Sequence, residues 1–245
     1  MVLCHQNAMT IGALLEWWKD IAPDQAILLV YGGRAADFNA IAHTNKIFID
    51  DPRLRTVDNQ RERQSYHGIW QQVARWLKSS NTNFEFVYFA EYDHLPLTRD
   101  LNSKQLQLLQ TENADVLAFR LQRIDGTSHP HYLYHVRDPE FHAFFDRLSV
   151  RADKRVILSM FGSGSFWKRE AFQAVAATEE PFPIYTELFL PTVAHHLGFR
   201  LRDYGKQNLF VHNLGDYGNG INVAKQQGAW TIHPVKEVRT RHPLK

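Results

Sequence analysis

The sequence predicts an α/β fold with a mostly parallel sheet. Three observations carry this: short runs of Val, Ile, Tyr and Phe too brief for helices, longer segments between them with apolar residues at helical spacing, and Gly, Pro or Asp at the junctions. Strands that alternate with helices over the first half imply right-handed parallel crossovers.

Val2-Leu3-Cys4 reads as the first strand. A helix follows, with Thr10 as its expected cap and Ile11, Leu14, Leu15, Trp18 and Ile21 as one buried stripe. Ala26 to Tyr31 forms a second buried strand, broken by Gly32-Gly33, and Lys46 to Ile49 a third, ending in Asp50-Asp51-Pro52. A helix from Gln60 to Lys78 places Tyr66, Ile69, Trp70, Val73 and Leu77 on one face. After it, Phe86-Val87-Tyr88-Phe89-Ala90 is continuously apolar, as suits a strand covered on both faces.

Beyond Pro96 a helix is expected from Asn102 to Gln110 and a strand from Asp115 to Leu121. Residues 122–155 lack clear periodicity and read as a loop-rich insert holding His129, His131, Tyr132, Tyr134 and His135. Val156 to Phe161 reads as a strand, Gly162-Ser-Gly-Ser165 as a tight loop, Lys168 to Ala177 as a helix, and Tyr185 to Leu197 as another with Pro191 in or near its first turn. No repeat, linker or low-complexity segment interrupts the chain.

At 245 residues with 44% hydrophobic content the chain can bury a real core, which excludes disorder. Lys and Arg total 28 against 26 acidic residues, so no overall field favours nucleic acid. The single cysteine, Cys4, makes no internal disulfide and fits a reducing compartment. The amino terminus lacks the pattern of a signal peptide and no stretch is long enough to span a bilayer; a cytoplasmic protein is expected, with peripheral membrane association left open.

The chemistry concentrates where the buried run ends. Glu91 and Asp93 emerge at the carboxyl end of the strand, where open α/β sheets bind their ligands. Two hard oxygen donors at i and i+2 on a turning backbone can converge on one divalent cation, which can in turn hold a diphosphate. By itself such a pair is more often a solvated loop or a helix cap.

This order of elements, with a strand ending in Glu91-Tyr92-Asp93, resembles the nucleotide-binding half of GT-A-fold, nucleotide-sugar-dependent glycosyltransferases of the family 2 type, and the motif is similar to their Asp-x-Asp. The resemblance implies one Rossmann-type domain with a mixed, mostly parallel sheet flanked by helices, residues 1–121 being the nucleotide-binding half and 122–245 the acceptor half and tail. It implies Mn²⁺ or Mg²⁺ held by Glu91 and Asp93 against the diphosphate of a nucleotide-sugar, UDP-linked by expectation. Glu at the first position departs from the family pattern. Glu187, at a helix start after the glycine-serine loop, matches the place of an acidic base in inverting members. Its bland role is to favour the positive end of the helix. His233 of Gly228-Ala-Trp-Thr-Ile-His-Pro-Val-Lys236 matches a late histidine that supplies a third ligand, with His212 as its rival, and Lys236 is placed to neutralise phosphate. For the nucleotide the matching positions are His5, Gln6 and Asn7, then Gly32 and Gly33, then Asp50. Arg63 and Gln64 open the helix before the acidic strand and could face the diphosphate. Trp167, Trp230 and the Tyr132 to His135 cluster are candidate stacking walls, although aromatic residues are usually core.

The acceptor is a hydroxyl of a sugar, lipid or protein. A sugar nucleotidyltransferase on the same fold would need a basic, glycine-rich loop after the first strand, where this chain has His-Gln-Asn-Ala-Met-Thr. A non-catalytic nucleotide- or carbohydrate-binding protein on a degenerate transferase scaffold is the reading from another class; it predicts donor binding without turnover.

Overall fold

A computed structural model of the chain describes residues 1–51, 67–80, 82–212 and 218–236. Their elements run, in order, β1 (Val2–Cys4), α1 (Ala8–Ile21), β2 (Leu29–Tyr31), α2 (Ala35–Ala40), β3 (Lys46–Phe48), α3 (His67–Ser79), β4 (Phe86–Glu91), β5 (Leu95–Pro96) and α4 (Leu101–Thr111). There follow β6 (Val116–Ala118), β7 (Gln122–Arg123), α5 (Pro130–His135), α6 (Pro139–Leu148), β8 (Leu158–Ser159), β9 (Ser165–Lys168), α7 (Arg169–Ala177), α8 (Thr186–His196), β10 (Leu201–Asp203), α9 (Ile221–Gln226) and β11 (Thr231–Ile232). They fall into two compact units, one within Met1–Arg55, Phe89–Leu108 and Gly205–Lys245, the other within Thr56–Tyr88 and Leu109–Tyr204.

In the first unit β1 lies between β2 and the end of β4, and β2 carries β3 on its far side, all parallel. The register sets Val2 beside both Leu29 and Ala90, and Leu3 beside Glu91. Burial of β1, β2 and β4 on both faces is the reason they read as continuous apolar runs. Helix α1 buries Ile11, Leu14, Trp17, Trp18 and Ile21, close to the expected stripe. Its cap, however, is Asn7 and not Thr10: Asn7 Oδ1 accepts the Thr10 N–H at 2.9 Å, which satisfies one of the orphan donors of the first turn. Helix α2 buries no residue, so it carries no periodic signal and the sequence does not announce it.

In the second unit β6 pairs with β10 in parallel and with β9 antiparallel, while β7 pairs with β8. Strand β9 corrects the expected loop-to-helix junction: Ser165, Phe166 and Trp167 are all buried, so the segment lacks the alternation that marks a half-exposed strand. Trp167 is therefore core and not a stacking wall, packed edge-on against Trp70 at 5.0 Å with its Nε1–H donated to Ser165 Oγ. The insert is more regular than expected. Asp138 caps α6, Pro139 opens it, and Phe141, Phe144 and Phe145 are buried at helical spacing. Only Leu158 and Ser159 of the expected 156–161 strand pair as one.

Helix α8 begins at Thr186, so Pro191 sits inside it and not in the first turn. A proline there removes the N–H that would bond to the carbonyl four residues back, on Glu187. That carbonyl instead accepts Met160 N–H at 2.9 Å. A loop from outside the helix thus fills the vacancy that the proline creates.

Taken unit by unit, the architecture is α/β with a mixed, mostly parallel arrangement of strands flanked by helices, as expected. Among the described residues no helix is long and apolar enough to cross a membrane.

Candidate functional site

At the end of β4 the backbone turns, closed by His94 N–H to the Glu91 carbonyl at 3.0 Å. The turn brings the side chains at i and i+2 together. Past it, β5 pairs antiparallel with β11, Thr231 opposite Pro96 and Ile232 opposite Leu95. Two further backbone bonds hold the returning segment: Leu97 N–H to the Trp230 carbonyl, and Val235 N–H to the Asp93 carbonyl, both 2.8 Å. His233 and Lys236 thereby reach the acidic motif from about 140 residues away in sequence.

One ligand atom each from Glu91, Asp93 and His233 lies within 4.8 Å of the others, the one such group of His, Cys, Asp or Glu found among the described residues. His233 Nε2 is 3.3 Å from Asp93 Oδ1 and 3.9 Å from Glu91 Oε2. Adjacent ligands of an octahedral Mg²⁺-sized ion stand about 3 Å apart, so modest adjustment would suit a cation. Asp93 and His233 are buried and Glu91 is half-exposed, which leaves one open side.

Proton positions sharpen the fit. His233 Nδ1 lies 2.7 Å from the carbonyl of His212, which can only accept, so Nδ1 carries the proton. Nε2 then faces two carboxylates, and a neutral ring would present them a lone pair. Acceptor facing acceptor is unfavourable unless a cation or an added proton lies between them, and a backbone carbonyl fixing the far nitrogen is the usual support of a metal-bound histidine. The imidazole of His212 turns instead to the Leu209 carbonyl, so His233 is the histidine beside the acids. Asp93 Oδ2 pairs with the half-exposed Lys236, whose ammonium also stands 5.8 Å from the Tyr92 ring. Burial pushes the Asp93 carboxyl up, but His233 and Lys236 outweigh it and hold the group at about 2. His94, fully buried behind the triad and bonded to Thr231 Oγ1, is pushed well down by burial and stays neutral.

The carboxyl ends of β1 and β2 border the same motif. His5 meets the Tyr92 ring edge-on at 5.6 Å, and Gln6 bonds His5 through its side chain and Tyr31 Oη through its carbonyl. Gly32 N–H bonds the Cys4 carbonyl at 2.9 Å. At Gly33 a Cβ would stand 2.5 Å from the His5 carbonyl oxygen and 2.3 Å from Tyr31 Oη, so the close approach of these two loops requires glycine. Asp50 is exposed just beyond β3. Asn7 stands beside them as the α1 cap, its Oδ1 accepting the Thr10 N–H. Arg63 and Gln64 lie outside the described residues.

Glu187 belongs to the second unit, at the start of α8. Its Oε1 accepts Gly162 N–H at 2.8 Å and its Oε2 lies 3.5 Å from His131 Nδ1. His131 stacks on Tyr185 with ring centres 3.7 Å apart. The sequence marks His131 as part of an aromatic cluster, but nothing local pairs it with Glu187, 56 positions later.

No protein-family model matches the chain and no curated protein matches it. Similar solved structures include core-mannan synthase A from Aspergillus fumigatus in a Mn/GDP form, 8% identical over 84% of this chain and 71% of that one, with a TM-score of 0.39. Another is the bifunctional glycosyltransferase WbbM without ligand, 12% identical over 95% of this chain and 45% of that one, with a TM-score of 0.43. A STIV protein is 11% identical over 82% of this chain and 78% of that one, with a TM-score of 0.36. Likeness this low leaves the fold to rest on the strands and helices above, and the site on its own geometry.

Proposed function

We propose that the chain is a metal-dependent glycosyltransferase that moves a sugar from a nucleoside-diphosphate donor, UDP-linked in this reading, to a hydroxyl of a sugar, lipid or protein acceptor with inversion. The observation that carries it is the Glu91, Asp93 and His233 triad at the carboxyl end of a buried parallel strand, with His233 Nδ1 turned to the His212 carbonyl and Nε2 facing the two carboxylates. These three residues would hold Mn²⁺ or Mg²⁺. A cation there would supply Lewis-acid compensation for the charge that builds on the departing diphosphate.

Lys236, already drawn to the triad by Asp93, has three donors and can turn one or more to a phosphate oxygen. His5, Gln6, Gly32 and Gly33 border the motif on the donor side. Asp50, with Arg63 and Gln64, completes the proposed nucleotide contacts. On the acceptor side Glu187 supplies the carboxylate of the proton-accepting group. As the acceptor oxygen bonds to the anomeric carbon, its proton is taken up there, and the bond from that carbon to the diphosphate breaks with its electron pair.

The test is thermal unfolding of the full chain with UDP, GDP, CDP and ADP, each with and without Mn²⁺, in wild type and His233→Ala. Ligands that bind the native state raise its apparent stability. A rise with one nucleotide that needs Mn²⁺ and disappears in the variant is expected. No rise with any nucleotide and metal would overturn the donor site.

A further inference from the structure

We infer that His131 and Glu187 form a proton-accepting dyad, in which His131 Nε2 is the base that touches the acceptor and Glu187 is the positioning carboxylate that fixes the histidine's tautomer. The substrate, a hydroxyl-bearing acceptor, rests on the transferase reading above. The geometry does not, and it lies wholly within the second unit.

Helix α5 grips the start of α8 through two histidines one turn apart. His131 stacks on the Tyr185 ring, interplanar angle 27°, and His135 Nε2 accepts the Tyr185 N–H at 3.2 Å. Glu187, two residues further on, is anchored from the other side by Gly162. A Cβ at residue 162 would stand 2.9 Å from Glu187 Oε1 and 3.2 Å from its Cγ, so a side chain there would displace the carboxylate from this position. With Oε1 held, Oε2 faces His131 Nδ1 at 3.5 Å.

The chemistry then follows from donor and acceptor identity. An ionised carboxylate can only accept, so the neutral His131 ring is held with its proton on Nδ1 and a lone pair on Nε2. Nδ1 is buried, and among the described residues Glu187 is the group it faces; the separation is long for a hydrogen bond, as is common before a substrate tightens the site. The groups around the ring are His129, edge-on at 4.8 Å, His135 and Glu187. Burial, then His129 and His135, push the imidazole down to about 4, so at neutral pH it is uncharged.

In the transfer step the acceptor hydroxyl proton moves to Nε2 and the oxygen forms its bond to the anomeric carbon. The electron pair of the broken bond leaves on the nucleoside diphosphate. The imidazolium so formed is stabilised by Glu187, the division of labour of a histidine and carboxylate pair.

The experiment uses the full chain with ¹⁵N-labelled histidine, His131 being assigned through His131→Gln. Ring nitrogen resonances across neutral and mildly acid pH report which nitrogen carries the proton. The expected wild-type result is Nδ1–H with bare Nε2, and its dominance is lost in Glu187→Gln. Carbethoxylation of His131 by diethyl pyrocarbonate, read by peptide mass, should fall about tenfold in Glu187→Gln, the size of one net hydrogen bond. An Nε2–H tautomer in wild type, or equal reactivity in the two proteins, would overturn the dyad; should the variant not fold, the wild-type tautomer decides alone. Neither readout needs donor or metal, so a failed nucleotide test removes the transferase reading without touching this result, and the reverse also holds.

Discussion

Replacing Asp93 with Asn removes one charge from the centre of the metal site and keeps its shape. In metal-free protein the Asp93 carboxyl is held at about 2 against an ordinary 3.8, which at 1.36 kcal/mol per tenfold amounts to about 2 kcal/mol of folding stability at neutral pH. Lys236 is half-exposed and its share is screened, so this is a ceiling. Because the folded value is the lower one, the contribution is complete above the ordinary carboxylate range and is lost as pH falls from about 4 towards 2. In the presence of a chelator, Asp93→Asn should therefore lower Tm by up to about 4–8 °C at neutral pH for a chain of this size. The gap should close in acid. Mn²⁺ acts the other way: at about a hundred times its Kd it adds about 2.7 kcal/mol to wild type, or roughly 5–10 °C, and much less to a variant that offers a neutral amide. Circular dichroism melts over pH, with chelator and then with Mn²⁺, measure both effects. An equal rise with Mn²⁺ in the two proteins, or a metal-free gap that does not change with pH, would refute the reasoning.

Two further substitutions separate scaffold from ligand contact in the first unit. Gly33→Ala brings a Cβ against the His5 carbonyl, which belongs to backbone and cannot swing aside, and should cost about 1–3 kcal/mol in urea unfolding; an unchanged midpoint would contradict the close approach. Asn7→Ala removes the α1 cap and should cost about 1 kcal/mol while leaving any metal-dependent nucleotide response intact. Loss of that response at unchanged stability would return Asn7 to the binding residues.

Much of the α/β pattern was legible because strand and helix periods are local. Continuous apolarity over Phe86 to Ala90 and the stripe of Ile11, Leu14, Trp18 and Ile21 follow from which faces are covered, and both are in the structure. The misses have physical causes. Helix α2 buries nothing, β9 is covered on all sides, and β5 and β11 are two residues each, so none shows a period. At the amino end of α1, Asn7 and Thr10 are both competent caps, and backbone geometry chose the former. Pro191 reads as lying in or near the first turn until the helix start is known; it is accommodated because Met160 takes the carbonyl it leaves.

By itself the sequence determined the parallel strands and the two acids at the end of the buried one, since apolar runs and a following turn are written in consecutive residues. Only the tertiary structure decided that His233 and Lys236 reach Asp93, that the His212 carbonyl turns His233 Nε2 inward, and that Glu187, bonded to Gly162 N–H, faces His131. Those contacts join residues tens to more than a hundred positions apart. They are set by strand return, backbone hydrogen bonds and close packing, none of which leaves a local period to read.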